Sequence, residues 1–306
     1  MTAQHADIND QKTAMVAIIG APNAGKSTLV NQLIGVKVAI VSHKVQTTRA
    51  RMMGVVTHDE TQLVLIDTPG IFKPKRRLDR AMVAAAWGGL DDVDAAILLI
   101  DAVRGLDENT RSIVAAMQTQ APKTLFLALN KTDALKQPET LLELTAALTA
   151  ELNADACFMI SALKGDGVED LRQALDACAK TTPWLFPEDQ VTDVNNQLLA
   201  AELTREQIYA RLHQELPYAL SVETEEWQVD KQRIFIRQAI LVSRDSQKGI
   251  VIGKGGSQLK AIGSQARQSM QQLFERKVHL ELFVKVEPRW SEDRHHLAAL
   301  GLEWVQ

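Results

Sequence analysis

The chain has 306 residues, of which 24% are charged and 46% are hydrophobic, and its formal net charge is −4. This length allows one to three domains, and the composition is ordinary for a soluble protein. The charge excludes a uniformly basic nucleic-acid binder but allows a local basic patch. Only two cysteines occur, which excludes a disulfide framework, and no apolar run is long enough to span a membrane.

The first part of the chain alternates predicted strands and helices. Its polar start, residues 1–13, lacks the apolar core of a signal peptide and is expected to be a disordered tail. Apolar runs that predict strands follow at 15–19, 51–56, 62–67, 95–101, 124–130 and 156–161. The second and third runs are expected to form an antiparallel hairpin. Continuous apolar strands are typical of a mostly parallel sheet covered on both faces, so we predict an α/β domain over residues 14–180.

The order of elements changes after residue 180. Residues 181–194 contain two prolines and several turn formers, which predicts a linker. The pattern then predicts a helix, two strands, a short helix, a glycine loop, a longer helix and a last strand between residues 195 and 290. This order indicates a second, α+β domain. Residues 291–306 are predicted to be a C-terminal tail in which Ser291 caps a short helix.

A glycine-rich loop joins the first predicted strand to a helix. Gly20, Gly25, Lys26 and Ser27 satisfy the pattern G-x-x-x-x-G-K-[ST] of a phosphate-binding loop. Such a loop points backbone N–H groups at phosphate oxygens, and the following helix offers its positive end to the same anion. Lys26 would reach the outer phosphates, and the Ser27 hydroxyl would hold Mg²⁺. We therefore predict a nucleoside triphosphate site built from Gly20, Asn23, Ala24, Gly25, Lys26, Ser27 and Thr28.

Three further motifs follow later strands. In Asp67-Thr68-Pro69-Gly70, the carboxylate can hold Mg²⁺ through water and the Gly70 N–H can meet a γ-phosphate. In the second motif, Asn130-Lys131-Thr132-Asp133, the aspartate can accept hydrogen bonds from guanine N1–H and its 2-amino group. Adenine lacks that pair of donors, so the aspartate would reject ATP. The third motif is Ser161-Ala162-Leu163, whose backbone N–H groups could meet the guanine O6.

In this order, the motifs resemble those of translation-factor-type GTPases. The resemblance implies a first switch that contains Gln46-Thr47-Thr48-Arg49, with Thr48 favoured over Thr47 as the residue that closes on Mg²⁺ and the γ-phosphate. It implies Mg²⁺ ligands at Ser27, Thr48 and Asp67, and catalytic roles for Lys26, Thr48 and Gly70. The alternative is that Thr47 and Thr48 have no role at the ion and only favour a β-strand.

Ile71 departs from one well-known GTPase pattern. Ras-like proteins have a water-orienting glutamine directly after the glycine that corresponds to Gly70. Isoleucine has no hydrogen-bonding group and cannot align the attacking water. We therefore predict slow intrinsic hydrolysis that is helped by a partner, a cation or another group.

Residues 250–257 read Ile-Val-Ile-Gly-Lys-Gly-Gly-Ser. A G-x-x-G loop between two helices lets a nucleic-acid backbone approach closely, since glycine has no side chain, and Lys254 supplies a charge suited to phosphate. Residues 231–289 carry 12 Lys or Arg and 4 Asp or Glu, although the whole chain is acidic; attraction to RNA needs such a local basic face. The element order resembles a type II KH domain. That resemblance implies RNA contacts at Ile252, Gly253, Lys254, Gly255, Gly256, Lys260 and Arg289.

Nearly the whole chain resembles the Era-like family, whose members join such a GTPase domain to one type II KH domain. Residues 42–49, 215–222 and 279–286 match its first switch, its entry to the KH domain and its C-terminal end. The resemblance implies GTP or GDP with Mg²⁺, binding to the 3′ end of 16S rRNA, and assistance in maturation of the 30S ribosomal subunit. Relatives also associate peripherally with the inner membrane, but the sequence contains no evident amphipathic anchor.

We expect a cytoplasmic monomer without an obligate protein partner. The alternative function is an RNA-binding GTPase that acts on another RNA or assembly step, with GTP serving mainly as a structural ligand.

Overall fold

The computed structural model describes residues 10–41, 47–90, 92–119, 122–212 and 216–304. The chain divides into two compact units. The first comprises the residues up to Ala39 together with Thr48–Asp193, and the second comprises Ile40–Thr47 and the chain from Val194 onward. The chain therefore passes from one unit to the other between Thr47 and Thr48.

The first unit is built around a mostly parallel sheet. Its strands are β1 (Lys12–Ile19), β2 (Met52–His58), β3 (Thr61–Asp67), β4 (Ala95–Asp101), β5 (Leu125–Asn130), β6 (Ala156–Met159) and β7 (Lys180–Thr181). Its helices are α1 (Lys26–Ile34), α2 (Arg77–Gly88), α3 (Glu108–Met117), α4 (Thr140–Glu151) and α5 (Val168–Asp176). The main strand order is β2-β3-β1-β4-β5-β6, and β7 pairs with β1. Among the strands that the structure describes in this sheet, only β2 and β7 run antiparallel to the strand they pair with, which confirms the predicted α/β fold with its hairpin.

Helices cover both faces of this sheet because alternate residues of the central strands point to opposite sides. Val16 and Ile18 of β1 lie in the apolar core that contains α1 and α5. Ala17 and Ile19 lie in the core on the opposite face, with α3 and α4. All seven residues of β4 are buried. The parallel strands end at one edge of the sheet, so the loops after β1, β3 and β5 come together there.

The second unit is a three-stranded sheet packed on helices. Its helices are α6 (Asn196–Arg211), α7 (Asp245–Ile252), α8 (Ser257–Phe274) and α9 (Arg294–Ala299), and its strands are β8 (Leu220–Val229), β9 (Arg233–Val242) and β10 (Lys277–Val286). The strand order is β10-β9-β8, with β9 antiparallel to β8 and parallel to β10. Ile208 of α6, Ile240 of β9 and Ile262 of α8 meet in the core. This α+β arrangement confirms the predicted fold of the second half.

Two stretches differ from their sequence-based interpretation. Strand β1 begins at Lys12, so residues 12 and 13 belong to the sheet rather than to a tail; residues 1–9 lie outside the described residues. The stretch interpreted as a linker is hydrogen-bonded along β2. Val55 donates its N–H to the Val191 carbonyl at 2.9 Å, and Met53 donates its N–H to the Asp193 carboxylate at 2.8 Å. The proline-containing segment 181–193 therefore lies on the first unit.

The predicted helix cap at Ser291 is wrong. Ser291 lies within a short 3-10 helix, Trp290–Glu292, and α9 begins only at Arg294. The Asp293 carboxylate accepts hydrogen bonds from the N–H groups of His295 and His296 and is the cap. Trp290, the first residue of the 3-10 turn, is buried, and the α-helix starts two residues later than a cap at Ser291 predicts.

None of the helices in the part of the chain that the structure describes carries an apolar stretch long enough to cross a membrane.

Candidate functional site

The loop between β1 and α1 has a backbone that requires its glycines. Gly20 has φ +154° and Gly25 has φ +105°, and a Cβ on either would lie 2.3 Å from another heavy atom. The atoms met would be the Leu99 carbonyl oxygen and the Asn130 Nδ2. Asn23, at the top of the loop, also has positive φ, at 64°. Larger residues at the two glycine positions would push the loop away from β4 and from Asn130 at the end of β5.

Lys26 opens α1 and is buried inside this loop. Its Nζ donates hydrogen bonds to the carbonyl oxygens of Gly20 and Ala21, each at 3.1 Å. Burial lowers the pKa of Lys26 from 10.5 to about 8, although the nearby Asp67 charge opposes the shift. The ammonium group is thus held at the phosphate-binding loop, where an anion would favour its charged form.

Ser27, Thr48 and Asp67 bring three oxygens together. Ser27 Oγ lies 2.8 Å from Thr48 Oγ1, and both hydroxyls donate to Asp67 Oδ2, at 2.8 and 3.0 Å. Burial raises the pKa of Asp67, against the lowering effects of Lys26 and of the two hydroxyls. The other carboxylate oxygen, Oδ1, is buried without a hydrogen-bond partner among the described residues. Hydroxyl and carboxylate oxygens are the ligands that Mg²⁺ prefers, so this set fits that ion.

Thr47 and Thr48 have different environments. Thr48 is buried beside Ser27 and Asp67, whereas the Thr47 carbonyl accepts a hydrogen bond from Arg205 of α6. The hydroxyl that lies with the other candidate metal ligands is therefore that of Thr48. Residues 42–46, which include Gln46 and most of the segment matched to the first switch, lie outside the described residues.

Gly70 and Ile71 lie against the phosphate-binding loop. A Cβ on Gly70 would come within 2.9 Å of three atoms of Pro22, so only glycine allows this close approach. Ile71 donates its N–H to the Gly20 carbonyl at 3.1 Å. Its side chain is 6% exposed and belongs to the apolar core below the sheet edge. The Ile71 side chain therefore packs in the core and does not face the phosphate-binding loop with a polar group.

The base-recognition motifs meet across the ends of β5 and β6. Asn130 bridges two loops, because its Nδ2 donates to the Ala24 carbonyl at 2.8 Å and its Oδ1 accepts from the Ala162 N–H at 2.9 Å. Ser161 Oγ donates to Asp133 Oδ1 at 2.8 Å. The hydroxyl thus holds the carboxylate that is predicted to read guanine. Leu163, the last residue of the third motif, is 76% exposed.

The predicted RNA-binding loop lies between α7 and α8. Gly253, Gly255 and Gly256 all have positive φ, and a Cβ on Gly253 would lie 2.7 Å from the Gln258 side chain. Lys254 and Gly255, at the tip, are exposed. Lys260 and Arg289 are also exposed, whereas Ile252 is half-buried against the core of the second unit. The loop presents a cation and bare backbone to solvent.

The chain matches two family models. One, described as a 50S ribosome-binding GTPase, matches residues 15–131, and the other, a KH domain, matches residues 215–291. Two full-length relatives are the GTPase Era proteins of Mesorhizobium japonicum and Agrobacterium fabrum. The first is 51% identical over 95% of this chain and 94% of its own length, and the second is 50% identical over 96% and 92%.

The chain belongs to the GTPase Era family.

Solved structures of Era agree with this assignment. One holds MgGDPNP and nucleotides 1506–1542 of 16S ribosomal RNA, and another is an Aquifex aeolicus Era variant bound to GDP.AlF4⁻. Each is 35% identical to this chain, covers 95% of it and 99% of its own length, and superposes with a TM-score of 0.90. Like other members of the Era family, this chain is a GTPase.

One contributor to the site of this Era-family chain was missed from the sequence. Asp101 ends β4, and its Oδ2 accepts a hydrogen bond from Lys131 Nζ at 2.6 Å. The same Nζ donates to the Asn23 carbonyl at 2.7 Å, so Asp101 holds the lysine stem beside the phosphate-binding loop. The sequence feature that could have indicated this role is an aspartate at the end of an apolar strand, the same position that Asp67 has in β3.

Proposed function

We propose that this chain is a GTP-binding and GTP-hydrolysing switch that binds the 3′ end of 16S rRNA through its second unit and assists maturation of the 30S ribosomal subunit. The observation that carries the proposal is the presence on one chain of a guanine-type nucleotide site and a basic G-x-x-G loop. The similarity to Era covers both, and the Era structure with RNA contains a GTP analogue as well as a 16S segment.

The nucleotide side of the proposal rests on the residues at the sheet edge. Backbone N–H groups of residues 20–28 would bind the phosphates, and Lys26 would supply positive charge to the outer ones. Ser27 and Thr48 would hold Mg²⁺ directly and Asp67 through water; the ion, when bound, offsets phosphate charge. Asp133 and the Ser161–Leu163 backbone would select guanine. GTP, GDP and Mg²⁺ are thus the ligands of this site.

Hydrolysis without a side-chain base is expected to be slow. Residue 71 is apolar and buried, so the attacking water must be oriented by backbone groups, by a cation or by a partner. A slow intrinsic rate suits a protein whose GTP-bound form must last long enough to act on a large assembly.

One of the two family models carries a 50S description, which would point to the large subunit. That model matches only residues 15–131, which lie in the nucleotide-binding unit. RNA selection would belong to the second unit, and the Era structure that covers both units contains 16S RNA, a component of the small subunit. We therefore favour the 30S subunit over the 50S subunit.

The switch would act through the segment that crosses between the units. Thr48 belongs to the first unit, next to Ser27 and Asp67, whereas Ile40–Thr47 belongs to the second. Ordering of Thr48 by GTP and Mg²⁺ would constrain that neighbouring segment. Since an effector shifts a conformational equilibrium only through differential affinity, GTP and RNA must then favour each other's binding.

Direct binding measurements test the proposal. The dissociation constant of the full chain for RNA corresponding to nucleotides 1506–1542 would be measured with a non-hydrolysable GTP analogue and with GDP. We expect tighter binding with the analogue, a loss with Lys254→Ala, and near-normal binding with Lys254→Arg. Equal affinity in both nucleotide states would contradict the switch. Preferential binding to an unrelated RNA would instead favour an RNA-binding GTPase that acts elsewhere.

We propose a cytoplasmic location, where this RNA is found. Peripheral attachment to the inner membrane is not required by this proposal, and cell fractionation with and without high salt would measure it.

A further inference from the structure

The cations of the second unit differ in whether an acid neutralises them. Arg237, on β9, lies 2.8 Å from Glu226 and 3.1 Å from Glu281. Lys285, on β10, lies 3.4 Å from Glu287. These cations of the sheet already have partners, so binding a phosphate would require breaking or sharing an ion pair.

A second group of cations lies on α8 and directly after it. Lys260, Arg267, Arg276 and Lys277 are all exposed. None of the four makes an ion pair or a side-chain hydrogen bond with another residue in the described ranges. Their charges are therefore available to a ligand.

These cations follow one line along the helix. Lys260 and Arg267 are seven residues apart, which is close to two turns, so they share a face. Ser264 and Gln271 continue that face, and we call Lys260, Ser264, Arg267 and Gln271 the α8 stripe. It begins beside the Gly253–Gly256 loop. Helix α8 has 18 residues, which corresponds to a length of about 27 Å.

The far end of the α8 stripe opens onto a cavity. Gln271 is one of the residues that line this cavity. We call four other lining residues the corner cluster: Arg233, Arg276, Lys277 and His279. Glu275 is the one carboxylate among the lining residues. Arg233 is already ion-paired with Asp230 at 3.2 Å, so Arg276 and Lys277 are the cations that the corner cluster offers. Two such cations against the single carboxylate of Glu275 make the corner cluster attractive to an anion.

We infer that the α8 stripe and the corner cluster bind the ribose–phosphate backbone of the RNA strand that the Gly253–Gly256 loop holds. This inference rests on the proposed RNA-binding function and extends it. A G-x-x-G loop clamps about four nucleotides, which is far fewer than the RNA in the Era structure, nucleotides 1506–1542. Helix α8, about 27 Å long, is long enough to contact further phosphates of the strand beyond the loop.

A purely structural role explains part of this charge but not its distribution. Arg276 and Lys277 follow the C-terminal end of α8, where a cation stabilises the helix dipole. Arg267 lies in the middle of the helix and has no such role. A dipole effect would also change folding stability alone, whereas phosphate contacts change the salt dependence of RNA binding.

The test measures RNA affinity against salt concentration for the full chain with a GTP analogue. The probes are RNA corresponding to nucleotides 1506–1542 and forms truncated from either end to about six nucleotides. The variants are Arg267→Gln, the double variant Arg276→Gln/Lys277→Gln, and the matched control Arg237→Gln, whose cation is already ion-paired. Lys254→Ala reports on the loop itself, and thermal unfolding confirms that each variant is folded.

For the long RNA we expect each lost contact to cost roughly fivefold in affinity at 0.15 M salt and to reduce the slope of log K against log salt by about 0.7–0.9. Arg237→Gln should change neither quantity. With the shortest RNAs the α8 and corner variants should match the unsubstituted chain, while Lys254→Ala still weakens binding.

Unchanged affinity and slope in the α8 and corner variants, with a defect in Lys254→Ala, would overturn this inference and leave the proposed function standing. Absence of specific binding by the unsubstituted chain would overturn both.

Discussion

The hydroxyls of Ser27 and Thr48 lie 2.8 Å apart, and both donate to the same carboxylate oxygen of Asp67. The two hydroxyls come from distant parts of the sequence, at the start of α1 and just before β2. Their convergence on a buried aspartate creates an oxygen-rich site that suits Mg²⁺. It also identifies Thr48, rather than its neighbour Thr47, as the threonine in position to contact the ion.

Removal of the Thr48 hydroxyl should therefore weaken Mg²⁺-dependent activity. Thr48→Val keeps the shape but loses the oxygen, and we expect a loss of about 1.5–3 kcal/mol, or more than tenfold, in the Mg²⁺ dependence of GTP hydrolysis. Thr48→Ser keeps the oxygen and serves as the control. The measurement is the Mg²⁺ concentration that gives half-maximal single-turnover hydrolysis, and equal values for the two variants would contradict the assignment.

Asp133 should set base specificity. Asp133→Asn replaces one acceptor oxygen with a donor group, which leaves guanine N1–H or its 2-amino group without a partner. We expect GTP affinity to fall by about 2 kcal/mol or more, which is roughly thirtyfold. Xanthosine triphosphate, which carries a carbonyl in place of the 2-amino group, should bind relatively better.

Ser161→Ala provides the control for this substitution. It removes the hydroxyl that donates to Asp133 Oδ1 at 2.8 Å but keeps the carboxylate. We expect a smaller loss of GTP affinity and no change in base preference. Competition binding with GTP and xanthosine triphosphate measures both, and a preference for guanine in Asp133→Asn would show that another group reads the base.

The sequence predicted those parts of the site that local chain geometry determines. Gly20 and Gly25 are recognisable because their backbone angles and close contacts exclude other residues. The contact between Asp101 and Lys131 was not predictable in the same way. It depends on β4 and β5 being neighbours, with Asp101 in register with Asn130, and this strand order is a property of the whole sheet.

The side-chain environment of Ile71 was likewise set by tertiary structure. The sequence shows that isoleucine has no hydrogen-bonding group. Its burial in the apolar core beneath the sheet edge depends on residues from several strands and helices. The helix cap at residue 293 is a similar case, because Ser291 and Asp293 are both good capping residues and local sequence alone does not decide between them.

Ile71→Gln should not create a faster hydrolase. Residue 71 is 6% exposed, so the new amide would be buried without a partner and should cost about 1–3 kcal/mol of folding free energy. Ile71→Val should cost about 0.5–1.5 kcal/mol and leave turnover unchanged. Single-turnover hydrolysis and urea unfolding measure the two effects. If Ile71→Ala abolished turnover with nucleotide affinity intact, the residue would have a direct role that its packing does not indicate.

Asp293→Ala should loosen the C-terminal helix. Its carboxylate accepts from the N–H groups of His295 and His296, and loss of an N-cap costs about 0.5–2 kcal/mol. Ser291→Ala, two residues earlier, is the matched control and should have little effect. Amide hydrogen exchange of residues 294–299 is the direct measurement. Faster exchange in Ser291→Ala than in Asp293→Ala would restore the sequence-based assignment of the cap.

The buried charge of Lys26 should make the stability of the nucleotide-free protein depend on pH. Burial lowers the pKa of Lys26 from 10.5 to about 8, so between these values the unfolded chain binds more protons than the folded one. The free energy of unfolding therefore rises with pH across this window, since deprotonation relieves the cost of burying the charge. The full shift corresponds to a gain of at most about 3 kcal/mol.

Lys26→Met removes this titration and is the reference for the measurement. Both nucleotide-free proteins would be unfolded with urea from pH 7.5 to 10.5, the range in which the effect of Lys26 is expected. The difference between their unfolding free energies reports on Lys26, because the contributions of the other titrating groups largely cancel. We expect the unsubstituted chain to gain stability relative to Lys26→Met as pH rises. Bound GTP should suppress the effect, because phosphate charge favours the protonated lysine. Parallel stability curves for the two proteins would mean that Lys26 keeps an ordinary pKa despite its burial.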